Sequence, residues 1–574
     1  MPSFVGARGR ALRTPARVPI VRSRHIQIAI ALCVLLATLH ALYYWPEVID
    51  DSYIIFRYAR NWVAGYGISF NAGGPPVEGA SSLTWFWMSV AGLRLGVHDL
   101  LTWVKITGLL LHAATTFGVW CVAARATDSR ASAIVAALLY AINPFAAYHA
   151  VAGLETPLAT ALIVAAAIAV LDLESHGRSS VLWLALLLPL LVATRPESFG
   201  YVTGLLVAGW IVHRDHPAAR RRILVAAVFA GGALALLTSW RWMTFGSFFP
   251  NTATAKVGIW PKGAHLSDEF QYAARYFSAL RLPTDTLLYL ACALLLLLRP
   301  SRRILVSAAM VACAVVFATA VRGDWMHSFR FMVPATPFVC VLMACGMATA
   351  FEIRGWPTAA LGSLRAAMVV LLAVTALQLI MIDQVVALPG HFGRWWKPRA
   401  WPLQVGARMV RGYDARLPNV TRWLLEHASS RKSVATGDIG FPGWTGDQKI
   451  IDLVGLTDRD LARIVPISNL AAFSSYINRA NPDIVVMRTS AGRPIGGYDQ
   501  LVAGSGLLAR YAKVDSVGSY ENNSLAVMYL RSGTTLDTEP DSVLARYDRA
   551  LQWNPRVTEM RAWRDEYLRG LASR

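Results

Sequence analysis

Residues 48–62 read VIDDSYIIFRYARNW, and the fold turns on what two adjacent acids do there. Asp50 and Asp51 stand just past a long apolar run, roughly 26 to 44, and are followed by aromatics, Arg57 and Arg60. An aspartate at a bilayer centre costs ~2.5–3.5 kcal/mol on insertion scales, so acids at a membrane edge face water, a cavity or a partner. The apolar run follows a basic arm and has no small-residue cleavage site before Tyr43, Tyr44 and Trp45, so it reads as a retained anchor.

Composition extends that reading to the whole chain. Of 574 residues, 55% are hydrophobic and 16% charged, with mean hydropathy +0.42, which is too apolar for an ordinary soluble enzyme. The net charge of +20 does not call for nucleic acid, because the basic residues form short clusters between apolar runs, as in RSR before residue 25, HPAARRR (216–222) and RPSRR (299–303). All six cysteines lie inside apolar runs, so no disulfide framework is indicated.

Further runs able to cross a bilayer, or nearly so, occur near 103–124, 131–150, 154–172, 181–193, 198–213, 223–245, 285–298, 303–320, 335–351 and 366–382. With the first they make about eleven spans, some shorter than the ~20 residues of a straight crossing. Residues 82–97, SLTWFWMSVAGLRLGV, are short and interrupted by Arg94, so they are placed as a helix in the interface. With the N-terminus inside, the loops at 125–130, 173–180, 213–222, 299–303 and 352–365 become cytoplasmic and collect the basic clusters. The polar motifs then all reach the outer face: the acid pair with PVEGASS, then GLETPL, TRPES, FPNTATAKV and RGDWMHSFRF.

Each motif has a functional and a structural reading. Asp50 or Asp51 suits a general base, or the pair merely ends a helix at the interface. Arg57 and Arg60, three apart, share one helix face and either pair with the acids, hold a phosphate or snorkel to headgroups. Glu78, in a turn-rich loop, bonds sugar hydroxyls or is simply solvated. Glu155 stands at the outer start of a span, where an acid also complements a helix N-terminus. Arg195 in a bundle needs an anion, either Glu197 or a substrate phosphate. Lys256 and the set Arg322, Asp324, His327 and Arg330 add groups suited to a phosphate on which charge builds as it leaves. There is no H-E-x-x-H, cysteine pair, P-loop or G-x-G-x-x-G, so a membrane-borne donor fits better than a nucleotide sugar. No cofactor is indicated, and a divalent metal stays open.

Together these motifs resemble those of the GT-C glycosyltransferases, and within them the group of the mycobacterial terminal β-(1→2)-arabinofuranosyltransferases. The resemblance rests on DDSYIIFRYARNWVAGYGISFNAGGPPVEGASS, GLETPL, RPE, PNTATAK, RGDWMHSFRF and IIDLVGLTD, in that order over about residues 48–460. It implies a polytopic α-helical membrane protein of GT-C fold, with a C-terminal extracytoplasmic α/β domain. It also implies transfer of a sugar, arabinofuranose foremost, from a polyprenyl-phosphate donor to an envelope glycan or glycoconjugate, and a single displacement with one base makes inversion at the anomeric carbon the expected outcome. The implied base is Asp50 or Asp51, with Asp50 favoured by family habit. Arg57, Arg195, Lys256 and Arg330 are expected around the donor phosphate, and Glu78, Glu155, Glu197, Asn251, Asp324 and His327 around the sugar and acceptor. The expected location is a bacterial plasma membrane with the site on the extracytoplasmic side. A lipid or lipid-linked-sugar flippase is the alternative, although transporters place charges near the midplane and carry internal repeats that are not evident here.

The expected domains are a basic cytoplasmic arm (1–25), a membrane domain (26–382) with its first outer loop at 45–102, and a soluble α/β domain (383–574). In the last, KSVATGDIGFPGW, KIIDLVGL, PDIVVMRTS, YAKVDSV and SLAVMYLR read as strands, with helices near 419–429, 469–480 and 498–509. Asp438, Asp452 and Asp458 sit at strand ends beside glycines, where loops can carry them toward the membrane bundle. The C-terminal segment reads as a packed helix pair.

Overall fold

The computed structural model describes residues 23–256, 283–298, 301–352 and 419–573, except 128, 322, 324, 325, 327, 328, 467, 496, 519–523 and 554–556, together with parts of 272–277 and 362–373. The expected arm lies outside these but for residues 23–25, as does the expected last span beyond residue 373.

Helices follow the apolar runs. They are α1 (Arg24–Tyr43), α2 (Asp51–Val63), α3 (Leu83–Arg94), α4 (Leu100–Thr127), α5 (Arg130–Ala141), α6 (Pro144–Val151) and α7 (Thr156–Leu171). After these come α8 (Gly177–Thr194), α9 (Ser198–Val212), α10 (Pro217–Phe245), α11 (Asn251–Lys256), α12 (Pro283–Leu298), α13 (Ile304–Ala320) and α14 (Thr336–Glu352). Among the described residues, five helices are long and apolar enough to cross a membrane, or six if a bent pair counts as one, and shorter apolar helices stand beside them. The bent pair corrects the expected straight span at 131–150: α5 and α6 meet at 58°. The cause is local, because Pro144 starts a new helix and the Asn143 side chain caps it by accepting from the Ala146 N–H at 3.0 Å. The stretch expected at 82–97 is helical as α3, whose 12 residues are too few to span.

The bundle has two chemically different ends. At one, Arg125 donates two 2.8 Å bonds to Asp172, Arg303 reaches the Arg125 carbonyl at 3.1 Å and His213 meets Glu174 at 2.6 Å. At the other lie Asp50, Glu155, Arg195, Lys256 and Arg330, beneath the C-terminal domain.

That domain is built on a sheet of order β2-β1-β3-β6-β5, with β1 (Ser433–Thr436) parallel to β2 (Lys449–Asp452) and β3 (Ile484–Ser490). β6 (Ser524–Arg531) runs antiparallel to β3 and to β5 (Tyr511–Gly518), while the short β4 (Arg493–Pro494) pairs with β3 off the main path. Both faces are covered, which is why the β3 run IVVM is apolar without alternation. Ile484 and Val486 join one core with Tyr53, Phe56 and Trp85 of α2 and α3, whereas Val485 and Met487 join a second with Phe473 and Ile477. The terminal helices Pro540–Trp553 and Val557–Ala572 pack through Val543, Tyr547, Ala550 and Met560.

Domain docking rests on α2 and the short helix α15 (Gly440–Thr445). Asp50 accepts from the N–H groups of Gly440 and Phe441, at 2.9 and 2.7 Å. Arg57 donates to the carbonyls of Gly443 (2.6 Å) and Gln448 (2.9 Å), and Arg60 to that of Trp444 (2.8 Å). The acid thus takes unpaired helix-start donors and the arginines take unpaired helix-end acceptors. Asn71 adds a two-way pairing with the Ile450 backbone on edge strand β2, at 2.9 and 2.8 Å.

Gly440 has no room for a side chain, because a Cβ there would overlap the Asp50 carbonyl oxygen and carboxylate. Gly440→Ala should therefore cost about 1–3 kcal/mol by overpacking, read as a lower unfolding temperature in detergent. Gly231→Ala, on an open face of α10, should leave that temperature unchanged or higher.

Candidate active site

The loop that carries the acid pair is fixed from below. Lys105 donates to the carbonyls of Trp45 (2.5 Å) and Glu47 (2.6 Å), and the Ile49 N–H and Ser52 hydroxyl both reach the Ala152 carbonyl, at 3.2 and 3.3 Å. The glycine of GLETPL is explained here: Gly153 has φ +93°, and a Cβ on it would press on Ser52. Asp50 is 7% exposed. Burial first, then the nearby charges of Asp438 and Asp51, push its carboxyl up to about 7 against the two N–H bonds that pull the other way. Asp51, in the first turn of α2, pairs with Lys256 at 3.8 Å.

Both acids line a cavity of about 1080 Å³ between the bundle end and the sheet domain. Arg195 enters it from the C-terminus of α8, where Glu155 accepts from its Nη1 at 2.6 Å and Glu197 from its Nε. Phe331 draws a second cation close, with the guanidinium carbons of Arg195 and Arg330 at 5.7 and 5.1 Å from its ring centroid. Beside these charged groups the bundle side contributes an apolar stretch, Leu234, Phe248, Phe249 and Phe317, and the domain side brings Asp438, Arg488 and Tyr498. Among the described residues, no group of three or more His, Cys, Asp or Glu side chains is placed to hold a metal ion.

Asp50, Asp51, Arg195, Glu197, Lys256 and Arg330 therefore meet in one cavity. Other expected site residues do not. Arg57 is 3% exposed and donates to Phe70, Asn71, Gly443 and Gln448, so it is a docking residue with no phosphate to hold. Glu78 is 2% exposed and receives Arg241 Nε on both oxygens at 2.9 and 3.0 Å, which places Arg241, not Glu78, on the cavity wall. Asn251 spends its amide donors on the carbonyls of Gly455 (2.7 Å), Leu456 (2.9 Å) and Asp458 (3.3 Å), which ties α11 to the sheet domain. Glu155 touches Arg195 without itself lining the cavity. Asp324 and His327 lie outside the described residues.

Of the three acids at strand ends, Asp438 reaches the cavity. Asp452 instead takes the N–H groups of Val454, Gly455 and Thr457, and Asp458 caps the helix Arg459–Ile464. Arg241, Arg488 and Tyr498 stand in no motif that marks them, and only the fold brings them in. The Glu78–Arg241 pair is buried on both sides, so removing one partner strands the other charge. Glu78→Ala should lower stability in detergent by about 3–5 kcal/mol, measured by thermal unfolding.

Residues 406–538 match a family described as Domain of unknown function (DUF8728). No curated protein sequence is significantly similar to this chain. Among solved structures, the chain is similar to the archaeal oligosaccharyltransferase AglB from Archaeoglobus fulgidus, in complex with an inhibitory peptide and a dolichol-phosphate. The identity is 11% over 81% of this chain and 70% of that one, with a TM-score of 0.51. It is also similar to ArnT from Cupriavidus metallidurans bound to undecaprenyl phosphate, at 12% identity over 89% of this chain and 99% of that one, with a TM-score of 0.52. At such identities the likeness is one of fold: this chain is a multi-pass membrane protein with the GT-C fold and a C-terminal sheet domain.

Proposed function

We propose that the chain is an integral-membrane glycosyltransferase that moves a sugar from a polyprenyl-phosphate donor to a cell-envelope glycan, at the extracytoplasmic face of a bacterial plasma membrane. One observation carries the reading. A single cavity holds a buried carboxylate, Asp50, together with Lys256 and Arg330, beside a wall of apolar side chains from bundle helices. A polyprenyl phosphate has the matching halves, and the two structural relatives were solved with lipid phosphates of that class.

In this reading Asp50 takes the proton of the acceptor hydroxyl. The oxygen attacks the anomeric carbon, the bond from that carbon to the phosphate oxygen breaks, and polyprenyl phosphate leaves with the electron pair. A single displacement inverts the anomeric centre. Lys256 shifts from Asp51 to the leaving phosphate and Arg330 receives the growing charge beside it. Arg195, already between Glu155 and Glu197, positions the pair as well as adding its own charge. Arabinofuranose is the sugar we propose, on the strength of the motif series from residue 48 to about 460. The flippase alternative is not favoured, because these charges lie at one end of the bundle under a folded domain rather than along its length.

The test offers purified protein decaprenyl-phosphoryl arabinofuranose and the mannose-linked analogue in parallel, with a mixed glycan acceptor and mass-spectrometric readout. Wild type should add a pentose, and Asp50→Asn should lose on the order of 10²–10⁴ in rate, the usual worth of a general base. A base works ionised, so with Asp50 raised to about 7 the rate should fall as pH drops through about 7. An ordinary carboxylate would hold the rate down to about pH 4. Wild-type rates in both Asp50→Asn and Asp51→Asn would end the proposal.

A further inference from the structure

Resting on that reading, we infer that Asp438, Arg488 and Tyr498 of the sheet domain form the acceptor subsite, and that it selects a neutral sugar bearing neighbouring hydroxyls. All three line the cavity, and Arg488 links the other two. Arg488 comes from β3 and lies 3.8 Å from Asp438. Its own anchor is Asp499, fully buried, which accepts from the Arg488 N–H at 2.9 Å and faces its Nε at 3.4 Å. Tyr498 packs its ring under the Arg488 guanidinium at 4.7 Å. It also closes on Gly437, where a Cβ would overlap that ring.

The chemistry separates this end of the cavity from the phosphate end. Asp438 stands two residues before Gly440, whose N–H binds Asp50, so two carboxylates face one region of the cavity. Such a region repels an anionic donor and accepts from hydroxyl groups. A carboxylate beside a guanidinium offers an acceptor and a donor to a vicinal diol, and the adjacent ring gives an apolar face for the sugar to lie on. The acceptor oxygen is thereby brought to Asp50 from the sheet-domain side while the lipid lies on the bundle side. The charged groups set around Asp50 are Asp51 on its own element and Asp438 from the sheet domain; one step out stand Lys256 on Asp51 and Arg488 on Asp438.

The experiment uses the full chain in detergent, with whichever polyprenyl-phosphate donor wild type accepts. A neutral octyl oligosaccharide and its uronate analogue serve as acceptors. Asp438→Asn should raise the neutral-acceptor KM on the order of tenfold, as for a lost charged hydrogen bond, with the donor KM unmoved. It should also narrow the preference for neutral over uronate acceptor and shift the acid limb of the rate profile to lower pH, because one charge that opposes ionisation of Asp50 is gone. Tyr498→Leu should raise the acceptor KM without moving that limb, and thermal unfolding of both variants checks that they fold. If wild type transfers and Asp50→Asn does not, yet both other variants keep the wild-type acceptor KM, acceptor preference and acid limb, the subsite is overturned and the function stands. No transfer by wild type from either donor overturns the function and the subsite with it.

Discussion

The exchange of charge between α2 and the helix Gly440–Thr445 is the contact on which the site depends. Asp50 takes two N–H groups where that helix begins, and Arg57 and Arg60 take carbonyls where it ends. A short helix leaves most of its end groups without internal partners, and burying them unpaired costs about 1–3 kcal/mol each. The three charged side chains meet that need and in return have their own burial compensated. Aromatic packing of Tyr53 on Phe441 and Phe56 on Trp444 completes the contact, with ring centroids 5.0 and 5.8 Å apart. Without it the cavity loses its domain wall, and Asp50 loses the groups that fix its direction.

The same contact gives one carboxylate two duties. Asp50 is a docking residue and, in the proposed function, the base. These do not conflict, since each carboxylate oxygen has a second lone pair and the N–H bonds fix orientation without consuming both. They also oppose the rise in proton affinity caused by burial and by Asp438, which leaves the group near neutrality rather than far above it. Arg241 shows a related division of labour: Glu78 balances its charge from behind while the arginine faces the cavity.

Most of the architecture was legible because it is written in period and run length. The apolar runs gave helices, and the five strand segments of the last third contain β1, β2, β3, β5 and β6, although GFPGW at the end of the first segment forms the helix Gly440–Thr445 instead of strand. Where the reading missed, a local rule outweighed the run, as when Pro144 and the Asn143 cap bent the expected straight span. Site residues were legible as to end of the bundle but not as to partner. Arg57, Glu78 and Asn251 carry the residue types that bind phosphates and sugars, yet each is committed to a protein partner distant in sequence: Gly443 for Arg57, 386 residues on, Arg241 for Glu78, 163 residues on, and Gly455 for Asn251, 204 residues on. No spacing rule reports such pairings. Conversely, Arg488 and Tyr498 sit in an unremarkable strand and helix start, and only the parallel pairing of β1 with β3 sets them beside Asp438.

In the proposed function a lipid phosphate sits in the cavity that the sheet domain closes. The measurement to make is a structure of the full chain with undecaprenyl phosphate, solved in lipid nanodiscs. The phosphate should lie against Lys256 and Arg330, with Asp50 facing the same space and the lipid chain along Leu234, Phe248 and Phe317. A phosphate seated instead at the opposite end of the bundle, by Arg125 and Arg303, or with Asp50 sealed away from it, would rule out Asp50 as the base acting on a donor held there.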